Sequence, residues 1–167
     1  FLLTADSLAG VLPTIRSRCI SFAVAPVSPE DCARYCTAQG VGAKDAALYS
    51  ALFDGHIGTV LAAARDEARR EQVDRALALA KAAAAKDSYA AAVLLAAYEK
   101  DKAGASALLA DFRAVAAAGL RGSPHSPVEG ETARKALGAA DAAMQQISAQ
   151  VNPKIVLSVL AAKFRTF

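Results

Sequence analysis

Alanine dominates this chain, and that constrains its fold more than any other feature. Hydrophobic residues make up 54% of the 167 positions, with alanine supplying much of that share. Alanine has the best intrinsic helix propensity and loses no side-chain entropy on folding. Aromatics are only 6% and tryptophan is absent, so any core must be thin and set helix against helix. An all-α fold is expected, with one or two small domains and a modest core.

Punctuation divides the chain into helices. Ser28-Pro29-Glu30-Asp31 starts one: Ser28 caps, Pro29 fits the first helical position, and the two acids meet the positive end of the dipole. That helix is expected to run to about Gln39 and stop at Gly40. A second spans Lys44 to Phe53, with Ala47, Leu48, Ala51 and Leu52 at helical spacing. A third begins near Ile57. From Arg65 a charged face (Glu67, Arg69, Arg70, Glu71, Asp74, Arg75) runs beside an apolar stripe, ending near Lys86. Further helices are expected from Asp87–Ser88 to Lys100, from Ala103 to Ala118, from Glu131 to Gln150, and from Asn152-Pro153 to Arg165. Gly119 to Pro127 is the clearest loop, dense in Gly, Ser and Pro. Before Ser28, Phe1–Thr4 and Cys19–Val24 read as short strands, with a turn or helical piece at Ser7–Ile15 broken by Pro13 and a polar turn at Pro26. The chain opens without Met inside a strand-like run and is expected to be a fragment of a longer protein.

Charge and cysteine usage narrow the function classes. A net charge of +3 permits a weakly basic face but does not form the clustered stripe of a nucleic-acid binder; Lys81, Lys86, Lys100 and Lys102 suggest one only faintly. No uninterrupted apolar run reaches the ~18 residues of a membrane span. Three cysteines without framework spacing argue against a secreted disulfide scaffold and fit a cytoplasmic setting. Cys32 and Cys36 share a helix face, but two thiols are too few for structural zinc, and neither His56 nor His125 is placed to complete a site. They are expected to be buried and inert, with His125 solvated. Glu67 to Arg75 reads as a solvated face. No phosphate-binding loop, Gly-x-Ser-x-Gly elbow or His-Glu-x-x-His occurs. No cofactor or metal is expected.

The segment Leu12-Pro13-Thr14-Ile15-Arg16-Ser17-Arg18-Cys19 carries the main functional signal. It resembles the Ser-Arg-Cys region of the AAA+ clamp-loader subunits, including the bacterial delta-prime and gamma/tau chains of DNA polymerase III. In those proteins a strand with a polar end, here Phe1-Leu2-Leu3-Thr4, precedes the motif by the same interval. The tail from Gln150 to Leu157 looks like the family's last collar helix, opened by Asn152-Pro153. The resemblance covers essentially the whole chain. It implies residues 1–26 as the end of the ATPase core, 27–68 as a three-helix lid, and 69–167 as a helical collar through which subunits assemble.

The resemblance also assigns roles. Arg18, with Ser17 and Cys19 of the motif, would act as an arginine finger in trans on ATP held by a neighbouring subunit. A guanidinium offers planar, always-charged donors to the charge that builds on the transferred phosphoryl group. ATP-hydrolysing relatives usually carry a sensing arginine near Thr59; Thr59 has no charge, and this departure favours delta-prime over gamma/tau. Neither Thr4 nor Asp6 qualifies as a nucleotide sensor. The family's zinc module lies upstream in the ATPase core. The expected function is therefore that of a non-hydrolysing clamp-loader subunit in DNA replication, with gamma/tau and delta subunits as direct partners. The sliding clamp and primed DNA would be reached through the complex, and no membrane is involved. A gamma/tau-type ATPase fragment and an unrelated helical DNA-binding module are the alternatives. The last helix carries an apolar set (Ile155, Leu157, Val159, Leu160, Phe164) that is wide for a thin bundle, so part of it is expected to face a partner chain. Phe164 and Phe167 could lie on either side of that division.

Overall fold

The computed structural model describes residues 1–5, 7–25 and 27–167. Asp6, and the expected turn at Pro26 that closes the first unit, lie outside the described residues. A 3-10 turn (Leu8–Gly10) and the one-turn helix α1 (Pro13–Arg16) come first. They precede α2 (Pro29–Ala38), α3 (Ala43–Leu52), α4 (Ile57–Arg65), α5 (Glu67–Ala84) and α6 (Ser88–Ala96). Then follow α7 (Lys102–Leu120), α8 (Gly130–Ser148), α9 (Pro153–Lys163) and a final 3-10 turn, Phe164–Thr166. The fold is all-α, as alanine and the capping signals dictate.

The expected strands at Phe1–Thr4 and Cys19–Val24 do not form. Among the described residues there is no strand, and both segments are exposed throughout. A strand is stable only when its backbone groups pair across a ladder and one face is covered. Here the two segments do not pair with each other, and the Cys19 amide donates only to the Arg16 carbonyl, in the turn that ends α1.

Helix starts follow the sequence closely. Ser28 Oγ accepts from the Asp31 amide at 3.1 Å, with Pro29 at the first helical position. Asp66, Asp87, Asp101 and Asn152 cap α5, α6, α7 and α9 in the same way, each accepting from a first-turn amide. Each cap satisfies an amide that the helix itself leaves unpaired. The links between helices are short because Lys86 and Gln150 adopt left-handed φ values of 56° and 65° and turn the chain at once. Most boundaries fall within two residues of expectation, and two differences have a structural consequence. Helix α6 stops at Ala96, so Lys100 lies in the turn beyond it. Helix α7 continues through Gly119 and Leu120 into what reads as loop. Gly119 belongs in the helix because the following loop folds back onto it: a Cβ there would sit 2.0 Å from the Val128 carbonyl oxygen.

One continuous core runs through α2 to α9. Helix α7 occupies its centre, packed against α3, α5 and α8, and buries Leu108, Leu109, Phe112, Val115 and Ala116. Phe112 stacks on Phe164 at 5.8 Å between centroids, and Phe164 meets Phe167 at 4.8 Å, so both terminal phenylalanines are core residues. The rest of the α9 set divides: Leu157 and Leu160 point inward, whereas Ile155 and Val159 are exposed. By length and mean hydropathy α7 is the one described helix able to cross a membrane. Half of its apolar window is buried within the protein, and it carries Asp111 and Arg113.

The break between α4 and α5 at Asp66 falls beside the expected boundary at residue 68, yet packing crosses it. Asp111 of α7 is 4% exposed. Arg69, at the start of α5, binds its carboxylate with both terminal nitrogens, one at 2.6 Å, and Gln72 Nε2 donates to it at 2.9 Å. The hydrogen bond to Asp111 pushes the Arg69 pKa up despite partial burial. The same guanidinium lies 5.5 Å from the centroid of Phe53, in the turn after α3, a cation–π distance. Arg121, at the other end of α7, donates to the Ala51 carbonyl at 3.2 Å and faces Asp54 at 3.5 Å.

Removing one partner of such a pair strands the other in a desolvated site. Asp111→Ala is expected to cost roughly 3 kcal/mol of unfolding free energy, while the joint change Arg69→Met with Asp111→Leu recovers most of it. Urea denaturation followed by circular dichroism measures both. A single variant within about 0.5 kcal/mol of the unmodified protein, the usual range for surface changes, would show that the pair does not tie α5 to α7.

Candidate functional site

The Ser17-Arg18-Cys19 motif sits where α1 ends. Pro13 presets the first helical turn, and Leu12 before it is extended, as a residue preceding proline must be. The turn closes when the Ser17 amide donates to Pro13 O at 3.0 Å and the Arg18 amide to Ile15 O at 3.0 Å. Thr14 O then collects two side chains: Ser17 Oγ donates to it at 3.2 Å and Arg18 Nη1 at 2.8 Å. This fixes the Arg18 side chain back along the one-turn helix. Its other N–H groups have no partner among the described residues, and it forms no ion pair there. Arg16, Ser17, Arg18 and Cys19 are all exposed. Chemically, the site is a permanently charged, planar donor held near a turn and open to an anion from outside the chain.

The remaining candidates lie on other elements and are not brought to the motif. Thr59 lies in the first turn of α4, half-buried and uncharged. Cys32 and Cys36 are fully buried on α2, as their apolar company suggests. Burial pushes the Cys36 thiol pKa up, and the neighbouring Cys32 adds to the effect; Arg65 opposes it weakly. His56 precedes α4, and its Nδ1 lies 2.6 Å from Phe53 O in the donating tautomer. His125 is exposed in the loop before α8. Among the described residues no group of three His, Cys, Asp or Glu side chains is placed to hold a metal ion.

The charged face of α5 reads as solvated surface only in part. Arg75 pairs with Glu71 at 3.3 Å and donates to the Tyr98 hydroxyl at 3.1 Å. Arg69 instead turns inward to Asp111. The sequence did hold a signal for this pair. Asp111 is flanked by Ala110 and Phe112, and it shares a helical face with Leu108 and Val115, so its carboxylate must find a cation inside.

Cysteine reactivity follows from burial and thiolate population. At pH 8, Ellman's reagent is expected to label Cys19 within minutes in the folded protein, leaving Cys32 and Cys36 unreacted until denaturant is added. Rapid native labelling of all three thiols would contradict the burial of α2.

Comparison of the chain with protein-family models, with curated proteins and with solved structures finds no match.

Proposed function

We propose that this chain serves as a delta-prime-type subunit of a bacterial, cytoplasmic clamp loader. In this reading it hydrolyses no ATP itself. It assembles through residues 69–167 with gamma/tau and delta subunits, and it presents Arg18 to ATP held by a neighbour. The sliding clamp and primed DNA are engaged by the complex as a whole. The observation that carries the reading is Arg18: an arginine of the Ser17-Arg18-Cys19 motif, exposed, without a carboxylate partner among the described residues, and anchored by one N–H to Thr14 O.

Three other features support it. The helical order, three short helices (α2 to α4) followed by a longer bundle (α5 to α9), is the order the resemblance implies for lid and collar. Thr59, where ATP-hydrolysing relatives usually place a sensing arginine, favours delta-prime over a gamma/tau-type ATPase. The DNA-binding alternative loses part of its lysine set to local contacts: Lys102 Nζ donates to Gln150 Oε1 at 2.9 Å.

Arg18→Ala in the assembled complex tests the reading directly. Folding and subunit association are expected to change by no more than about 0.5 kcal/mol, since an exposed arginine contributes little to stability. ATP turnover at the adjacent subunit's site is expected to fall about 10³-fold, the low end for arginine fingers, and clamp loading with it. Arg18→Lys recovers only part of this, because an ammonium lacks the planar fork. Steady-state ATPase assays on reconstituted complexes decide; unchanged turnover in Arg18→Ala makes Arg18 an ordinary surface arginine.

A further inference from the structure

The segment that carries Arg18 holds a second guanidinium. Between Asp6 and Glu30 the only charged side chains are Arg16 and Arg18, and both are exposed. Arg16 is the last residue of α1. Its amide donates to Leu12 O at 3.1 Å, and its carbonyl accepts from the Cys19 amide at 3.4 Å. The turn that places Arg18 therefore holds the Arg16 backbone as well. The Arg16 side chain forms no ion pair among the described residues.

Ser17 joins the two arginines. With Pro13, Arg16 and Ser21 it lines an open cleft on one side of α1, and no carboxylate lies among the lining residues. Ser17 Oγ also donates to Thr14 O, the carbonyl that receives Arg18 Nη1, so Ser17 belongs both to the cleft and to the anchor of Arg18. The surface thus presents two guanidinium forks and two hydroxyls with no anionic group between them. Donors of this kind, grouped on one small turn, match the oxygens of a phosphate.

The two guanidiniums differ in how they are held. Arg18 is fixed to Thr14 O at 2.8 Å before any anion arrives. A donor fixed in advance stabilises charge as it develops in a transition state, with no reorganisation at that moment. Arg16 has no such anchor. It orders its long side chain only when an anion is met, and it can follow a phosphate equally well before and during reaction. Binding of that uniform kind lowers KM and leaves kcat where it was.

We propose that Arg16, at the cleft it shares with Ser17 and Ser21, binds a phosphate group of the nucleotide held by the neighbouring subunit and sets the affinity for ATP, leaving the chemical step to Arg18. The identity of the nucleotide rests on the function proposed above, which gives Arg16 no part. A carboxylate of the neighbouring chain is the other anion that fits a single fork. Two cations within three residues suit a polyanion better, because one carboxylate is satisfied by one guanidinium.

The test uses complexes of the full-length protein reconstituted with gamma/tau and delta subunits. Arg16→Ala is expected to raise KM for ATP at the adjacent subunit's site roughly tenfold, the loss of one charge-assisted contact, with kcat changed less than about twofold. Affinity for the slowly hydrolysed analogue ATPγS, measured by calorimetry, falls by the same factor. Arg16→Lys recovers most of the loss, because a point charge is enough to hold a bound phosphate; Arg18→Lys recovers only part of its own. Arg16 is exposed, so thermal melts of its variants should match that of the unmodified protein. Unchanged KM and ATPγS affinity in Arg16→Ala, with Arg18→Ala still slowing turnover, overturns this inference and leaves the clamp-loader reading standing. Weaker subunit association at unchanged KM makes Arg16 a contact to the neighbour's protein surface and overturns it as well. If neither Arg16→Ala nor Arg18→Ala alters KM or turnover, the inference and the reading fall together.

Discussion

The carboxylate of Asp111 is the point on which the two halves of this molecule meet. It sits inside α7, the most enclosed helix, where an unpaired charge would cost several kcal/mol. Arg69 can reach it only if α5 crosses α7 at this level, and Arg69 in turn lies over Phe53 at the end of α3. A single polar contact thus fixes the position of three helices. Apolar packing alone would not do so, because alanine faces are nearly featureless and slide past one another with little change in buried area. The bidentate geometry selects one register from many that the hydrophobic effect would accept. At the far end of α7, Arg121 repeats the device more weakly, holding the Ala51 carbonyl from an exposed position.

Alanine explains both why helices were legible in the sequence and why their arrangement was not. Propensity and caps act locally, so Ser28-Pro29, Asp87 and Asn152-Pro153 located their helices within a residue or two. Packing is a property of shape, and a stripe of alanines does not announce its partner. The α9 set shows the difficulty. Ile155, Leu157, Val159, Leu160 and Phe164 look alike in sequence, yet Leu157, Leu160 and Phe164 are buried while Ile155 and Val159 face outward. The helices against which α9 and the turn after it pack, α6, α7 and α8, decide which is which. The expected strands failed for a related reason. Alternation in Cys19–Val24 states a preference for extended backbone, but a strand exists only where another strand completes its hydrogen bonds.

The candidate site was legible as residues and not as geometry. Nothing in Leu12 to Cys19 says that the Arg18 guanidinium bends back to Thr14 O, because that contact depends on α1 being a single turn. The inward turn of Arg69 was missed because its neighbours Glu67, Arg70 and Glu71 are all surface charges. The signal lay forty-two residues away, in the isolation of Asp111 among apolar neighbours. The character of α6 was missed for the opposite reason. Ser88 to Tyr98 reads in the sequence as a helix and no more, and only the structure exposes one of its faces.

Arg18 and the α6 face are both unfinished within the chain, but they differ in what they cost. A solvated guanidinium is well hydrated, and leaving it unpaired takes nothing from stability. Exposed apolar surface is unfavourable in water by about 25 cal/mol per Å². A helix that keeps Tyr89 and Val93 in solvent, where lysine or glutamate would be more stable and more soluble, therefore carries a standing penalty. Arg18 carries none, and in an assembly it would add chemistry without adding affinity between subunits. In the function proposed here that separation is useful. A residue that must meet ATP as charge develops, and release it afterwards, works best when it is not also holding the complex together.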